Sequence, residues 1–287
     1  MSKPAWLRVR LPDPASFRAT AGLLDELDLR TVCDGARCPN RGECFASGTA
    51  AFLILGDACT RACGFCAVGR SAGEPSPPDG DEPRRVAAAA GRLGLSHVVV
   101  TSVTRDDLPD GGAAHFTATV EALRAALPEA SVELLVPDFR DRPAALETVL
   151  AARPDVLNHN LETVPRLYGE VRPGASYRRS LELLRGAARR KGVGGPALVK
   201  SGLMLGLGET ADEVGAVLAD CVAAGVDLVT VGQYLCPTAG CLPVVRYVPP
   251  EEFANLPPLG ERLGLRVVAG PFVRSSYRAA ESFAGRP

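Results

Sequence analysis

Nine cysteines stand in the chain, and six of them fall between Cys33 and Cys66 in two groups of three. The second group, Cys59-x3-Cys63-x2-Cys66, comes directly after the apolar run AFLILG at 51–56. Three thiolates on one tight loop suit three irons of a [4Fe–4S] cube, leaving the fourth iron open to a ligand that offers an amine and a carboxylate. Cys63-x2-Cys66 alone would serve zinc or a buried core equally well. The third cysteine, and Phe65 before the last one, favour the cluster. The first group, Cys33-x4-Cys38-x5-Cys44, lies in CDGARCPNRGEC, where Pro39 and two glycines make a turning loop. Three thiolates again suit a cluster short of one ligand, and on spacing alone a zinc site with a distant fourth ligand stays open. The odd cysteine total fits poorly with a fully paired disulfide framework, so metal or redox chemistry is favoured.

Such loops need a frame. Apolar runs at 51–56, 97–101, 132–136, 155–160, 197–205 and 226–231 alternate with amphipathic stretches near 83–93, 114–127, 143–152, 176–191 and 211–224. That alternation indicates parallel β/α units. Six strands fall short of the eight that close a barrel. The sequence therefore predicts an α/β fold, a partial (β/α)6 TIM-type barrel, with a doubly wound sheet as the runner-up. The barrel spans 51–248. An N-terminal extension, 1–50, carries a helix near 15–28 and the first cysteine group. A short C-terminal extension, 249–287, adds a helix, a strand at 265–269 and a last helix after Val273. GEPSPPDGDEP at 73–83 reads as a loop.

A parallel barrel places its site at the C-terminal ends of the strands. Thr101 and Ser102 end the second strand, Asn158, Asn160 and Glu162 the fourth, and Lys200 and Gln233 the fifth and sixth. Thr101, Ser102, Asn160, Glu162 and Lys200 are the candidates for holding a cofactor. His159 reads as a hydrogen-bonded structural residue, and Arg172 as a partner for a carboxylate, structural or on the cofactor. Gly206-x-Gly208 completes neither a Walker loop nor a dinucleotide fingerprint. Ser275 and Ser276, taken alone, read as helix N-caps. Cys221, in an apolar helical stretch, reads as core.

Composition narrows the class. Over 287 residues, 32 Lys plus Arg against 33 Asp plus Glu gives a formal net charge of −1. That balance argues against a dedicated nucleic-acid binder, which normally carries a basic excess. No apolar run approaches the roughly 18 residues of a membrane span. The opening MSKPAWLRVRLP has no apolar secretory core. A cytoplasmic protein without membrane attachment is expected.

The extended motifs are more specific. ARCPN-x-GEC surrounds the first triplet and GD-x-CTR-x-C-x-FCAV the second. TSVTRDDLPDGGA (101–113), VLNHNLETVPRLY (156–168), VRPGASY (171–177), KSGLMLGLGET (200–210) and GPFVRSSY (270–277) follow. Together they resemble the lipoyl synthase family of the radical S-adenosylmethionine superfamily, over almost the whole chain. The resemblance implies an enzyme that inserts two sulfur atoms at carbons six and eight of an octanoyl chain on a carrier lysine. It implies that Cys59, Cys63 and Cys66 hold the [4Fe–4S] cluster that cleaves S-adenosylmethionine to a 5′-deoxyadenosyl radical. Cys33, Cys38 and Cys44 would hold a second, auxiliary [4Fe–4S] cluster that supplies the sulfur. The auxiliary cluster's fourth ligand would be a serine of RSSY, Ser276 first and Ser275 second. Implied partners are an octanoylated carrier (an H protein or the lipoyl domain of a 2-oxoacid dehydrogenase), an electron donor such as flavodoxin or ferredoxin, and a cluster-repair protein.

One stretch departs from the family. QYLCPTAGCLPVVRYV (233–248) carries Cys236 where members usually have Gln, and lacks the basic or His residues usual near Gly240 and Cys241. The departure raises an alternative, a paralogue inserting sulfur into another carrier-bound acyl chain. The bland reading of the two residues is a pair of thiols lining a loop. A carrier protein for iron–sulfur or zinc, without catalysis, is opposed by the full set of barrel segments.

Overall fold

The structure, a computed structural model, describes residues 3–9, 12–71, 73–140 and 142–285. The outermost two residues of each predicted extension lie outside that set. Among the described residues eight strands make one sheet: β1 (Arg30–Thr31), β2 (Ala51–Ile54), β3 (His97–Ser102), β4 (Ser131–Leu135), β5 (Val156–Asn158), β6 (Leu198–Leu205), β7 (Leu228–Gln233) and β8 (Arg266–Gly270). They lie side by side in sequence order. β2 to β8 are parallel to their neighbours, and β1 runs antiparallel to β2. The sheet is an open barrel. Its six predicted strands are β2 to β7. The strand expected in the C-terminal extension adds to them as a seventh parallel strand, and β1 had no sequence signal at two residues.

Each β/α unit forms for a local reason. The strands are apolar runs with both faces buried, because helices cover the outside and side chains fill the inside. The intervening helices are Glu82–Arg92, Ala113–Ala126, Pro143–Ala151, Tyr177–Arg189 and Ala211–Ala223. Pro83 and Pro143 fall in first turns, where a missing N–H costs nothing. Thr210 and Glu213 make a reciprocal capping box.

The barrel is closed below by the last helix, Ala279–Ala284. Phe283 packs against Val156, Leu198 and Leu228, all at the beginnings of strands, and lies 5.5 Å from the His97 ring. Above this plug is a layer of buried charge. Lys200 Nζ donates to both oxygens of Glu133, at 2.9 and 3.2 Å, and Asn158 Nδ2 donates to Oε1 at 3.0 Å. Burial pushes the Glu133 carboxyl up, but Lys200 outweighs it and holds the group ionised. Lys200 is the third residue of β6, not its last as expected from the sequence, because β6 runs on through Leu205.

The C-terminal segment then re-enters the barrel. A Cβ on Gly202 would stand 2.6 Å from Asn160 Oδ1 and 2.7 Å from Ser275 Oγ; one on Gly232 would stand 2.0 Å from the Val273 carbonyl oxygen. Only glycine at these two strand positions lets residues 273–275 cross the sheet so closely.

Candidate active site

A cavity of about 670 Å³ opens above the charged layer. Cys33, Cys38, Cys44, Cys59, Cys63 and Cys66 all line it, as do Ser275 and Ser276. All nine cysteines are free thiols. Among the described residues, no three His, Cys, Asp or Glu side chains gather tightly enough to hold a single metal ion. The six thiols nevertheless all face the one cavity.

The 59–66 loop is held from several sides. Leu55 and Gly56, both at positive φ, turn the chain out of β2. The Cys59 amide donates to the Gly69 carbonyl at 2.8 Å, and the Gly64 amide to Val171 at 2.9 Å. Arg61, between Cys59 and Cys63, donates to both Asp106 oxygens at 2.8 and 3.0 Å and to Asp138 Oδ1 at 2.5 Å. Arg179 reaches the other Asp138 oxygen at 3.2 Å. Burial pushes Asp138 up, yet the hydrogen bond and charge of Arg61 outweigh it and hold the carboxyl well below the usual range. Thr60 donates to the Thr104 carbonyl and accepts from the Asp106 amide. The TRDD stretch after β3 is thus the seat of the cysteine loop.

The first triplet sits on two short helices, Val32–Gly35 and Arg41–Ala46. Thr31 caps the first by accepting from the Asp34 amide at 3.1 Å. Burial pushes Cys33 up to about 12 and Cys44 to about 11; in the second triplet it pushes Cys66 to about 12. Burial also raises Cys63, against the opposing charge of Arg172. Binding iron must therefore displace protons from these thiols.

The other predicted residues divide. Ser102, Asn160 and Glu162 line the cavity. Asn160 Nδ2 donates to Glu162 Oε1 at 3.0 Å, and burial pushes the Glu162 carboxyl up despite the nearby Arg172. Glu162 has φ +68, a left-handed conformation uncommon for non-glycine residues. Ser102 Oγ and Arg172 Nε are buried without a hydrogen-bond partner among the described residues. Both residues line the cavity, so a bound molecule that offers hydrogen-bond acceptors, such as a carboxylate, would satisfy them. Thr101 also lines it, but its hydroxyl donates to the Leu135 carbonyl at 2.9 Å. Lys200 lies beneath the wall, its ammonium shared between Glu133 and the Ser275 carbonyl. His159 is structural, bonded to the Val136 carbonyl and the Ser180 hydroxyl at 2.8 Å each; burial holds it neutral, down to about 4. Gln233 ties down the following loop through the Leu205, Tyr234 and Arg246 carbonyls.

Ser275 and Ser276 do not cap a helix: the last helix begins after Arg278, without a side-chain cap. Ser275 Oγ donates to Asn160 at 2.8 Å. The Ser276 hydroxyl takes no hydrogen bond among the described residues. Cys221 is core, fully buried. Cys236 is exposed, and Cys241 Sγ lies 3.6 Å from the Cys66 carbonyl, so the loop carrying both rests on the second triplet. The Gly206 and Leu207 amides are taken by Glu209, which leaves them no phosphate to hold. Sequence reading missed Arg61, Asp106 and Asp138; the first two had the signal of membership of the CTR and TRDD stretches, and Asp138, just after β4, had none.

Comparison with known proteins agrees with this geometry. Residues 53–221 match the radical SAM superfamily. Among solved structures, the FeFe-hydrogenase maturase of Carboxydothermus hydrogenoformans superposes with a TM-score of 0.61 at 15% identity, over 81% of this chain and 55% of its own. Methylornithine synthase gives a TM-score of 0.54 at 17% identity, over 87% and 81%. These likenesses show the fold. Relatives named lipoyl synthase are much closer in sequence. Those of Nitratidesulfovibrio vulgaris and Trichlorobacter lovleyi are each 57% identical, over 98% and 97% of this chain and 92% and 97% of theirs. That of Chlorobium chlorochromatii is 54% identical over 96% of this chain and 93% of its own. Similarity of that extent, on a partial barrel with two cysteine triplets facing one cavity, makes the chain a member of the lipoyl synthase family of radical SAM enzymes.

Proposed function

We propose that this chain completes a lipoyl group, inserting sulfur at carbons six and eight of an octanoyl chain on a carrier protein. The observation that carries the reading is the convergence of both triplets and the RSSY segment on one cavity. Family membership brings a [4Fe–4S] cluster and S-adenosylmethionine. Cys59, Cys63 and Cys66 hold that cluster, and Cys33, Cys38 and Cys44 hold a second one with Ser276. When bound, the first supplies the electron that cleaves S-adenosylmethionine and the second supplies the sulfur.

The chain's own residues bind and orient. Arg172, buried beside Cys63, offers its cation to the cofactor carboxylate. Ser102, Asn160 and Glu162 take up the cofactor's remaining polar groups. Lys200 works from below, holding Ser275 in place rather than touching the cofactor. Val99, Val103, Leu135 and Leu203 give the cavity an apolar wall on which an alkyl chain displaces water at roughly 0.8 kcal/mol per CH₂. The three chain regions divide by role: 1–50 and 249–287 carry the auxiliary ligands, and 51–248 the radical chemistry. The carrier is an H protein or a 2-oxoacid dehydrogenase lipoyl domain, the reductant a flavodoxin or ferredoxin, with a repair protein rebuilding the auxiliary cluster. No helix among the described residues is long and apolar enough to cross a membrane. Nine free thiols support a reducing cytoplasm as the place of action.

The deciding test gives reconstituted protein an octanoylated carrier, S-adenosylmethionine and a strong reductant, and weighs the carrier. Gain of two sulfurs on the acyl chain is expected. 5′-Deoxyadenosine without any sulfur transfer to that carrier would refute the assignment, and failure to restore a lipoate auxotroph would favour a different acyl chain.

A further inference from the structure

Ser276 sits on a strap tied at both ends to different parts of the chain. On one side, Ser275 donates its hydroxyl to Asn160 and accepts from Lys200 Nζ on its carbonyl, at 2.8 and 2.5 Å. On the other, the Tyr277 hydroxyl donates to Glu43 Oε1 at 2.8 Å, and Arg278 Nη2 donates to the same oxygen at 3.3 Å. Glu43 immediately precedes Cys44 on the helix Arg41–Ala46. Asn40, on the same turn of chain, donates to the Phe272 carbonyl at 2.7 Å. Arg278 takes φ +50, uncommon outside glycine, and its guanidinium lies 5.3 Å from the Tyr277 ring centre. Residues more than 230 positions apart in sequence thus meet at one carboxylate oxygen. The Ser276 hydroxyl has no hydrogen-bond partner of its own among the described residues. Its direction is set by the ties on either side.

We propose that Glu43 is a positioning residue. By holding Tyr277 and Arg278, it presents the Ser276 hydroxyl to the Cys33–Cys38–Cys44 triplet and sets how readily the iron held by that oxygen escapes. The proposal rests on the reading of Ser276 as the fourth ligand. The clasp acts at a distance: Glu43 need not touch the cluster, and the strap carries its effect. Because Glu43 and Arg278 are both about half exposed, the charge is screened by solvent and the clasp is a modest restraint rather than a rigid one. A restraint of that size suits a ligand meant to let go once sulfur leaves.

The test compares the parent with Glu43→Ala, Glu43→Gln, Tyr277→Phe and Ser276→Ala, all as full chains with both clusters reconstituted. Two readouts are taken: the rate at which a ferrous chelator removes the first iron, and the Mössbauer signature of the oxygen-ligated iron in isotopically enriched protein. A merely structural residue would move neither. Glu43→Ala should release that iron about threefold to tenfold faster, the range of one screened charge-assisted hydrogen bond. Its distinct iron signal should broaden or vanish. Glu43→Gln should fall between it and the parent, since an amide oxygen still accepts from Tyr277. Tyr277→Phe tests the same clasp without touching residue 43 and should also release iron faster. If Ser276→Ala sheds iron quickly while both Glu43 variants and Tyr277→Phe match the parent, the clasp positions nothing and the proposal is overturned. If Ser276→Ala itself matches the parent in both readouts, the serine holds no iron, and the reading of Ser276 falls together with the clasp.

Discussion

Replacing Arg61 with Met separates the anchor of the 59–66 loop from the loop's thiols. Arg61 is the cation between Asp106 and Asp138, and the three side chains are 6%, 10% and 0% exposed. Removing one partner of a buried ion pair costs about 3–5 kcal/mol, because a charge is left behind without compensation. Here Arg179 still reaches Asp138 at 3.2 Å and Arg140 lies 3.8 Å from Asp106, so the lower end applies. At roughly 2–4 °C per kcal/mol for a chain of this size, melting should fall by about 6–12 °C. The pH dependence gives the stricter check. In the parent, Asp138 is held below its ordinary value, so its contribution is present above about pH 4 and lost as pH falls through the lower folded value. Without Arg61 the main interaction opposing burial is gone, and although Arg179 and the Arg140 amide still hold the carboxylate, its folded value moves up. The stability lost with Arg61 is greatest at neutral pH and shrinks as pH falls through the raised folded value. The gap in melting temperature between parent and variant should therefore be widest at pH 7 and narrow toward about pH 4. A double variant, Arg61→Met with Asp138→Asn, should recover part of the loss. The assay is circular dichroism at fixed scan rate and matched iron content. If Arg61→Met melts within about 2 °C of the parent at both pH values, the buried triad does not anchor the loop.

Three further outcomes follow from the site. Ala at Cys59, Cys63 or Cys66 should abolish 5′-deoxyadenosine formation, whereas Ala at Cys33, Cys38 or Cys44 should leave some cleavage but no sulfur transfer; thiolated product from a Cys38→Ala chain would contradict the division of roles. Cys236 and Cys241 should hold no third cluster, so iron should stay near eight per chain when both become Ala; about twelve falling to eight would say otherwise. Without a repair protein, product should plateau near one per chain, with about two 5′-deoxyadenosines for each product and isotope-labelled cluster sulfide in both positions. Sustained turnover giving unlabelled product would rule out the auxiliary cluster as donor.

What the sequence made legible was what repeats or clusters along the chain. β2 to β7 and their helices announced themselves because both faces of each strand are buried and read as continuous apolar runs. The six thiols were legible because spacing within a loop is a local property. Arg61 pairing with Asp106 and Asp138 was not, since these partners meet only when successive strand ends are brought together. Lys200 looked like a site residue for the converse reason. A lysine in an apolar strand suggests function, and only the fold shows that it neutralises Glu133 under the cavity floor. Ser275 and Ser276 could not be told from helix caps by type alone; the helix start after Arg278 decided that.

An open barrel leaves two strand edges that a closed one would not have. At one of them, β1 offers only two residues, pairing Arg30 with Leu53 and Thr31 with Phe52. Those two residues belong to the same extension that carries Cys33, Cys38 and Cys44. Whatever loosens the extension therefore also uncovers β2, a wholly buried apolar strand whose unpaired N–H and C=O groups form a template for another chain. Retaining the first triplet's fold is thus also a matter of colloidal stability. Chains whose extension comes loose are therefore expected to self-associate, whereas in place the two-residue β1, with Arg30 on it, is a poor template for further pairing.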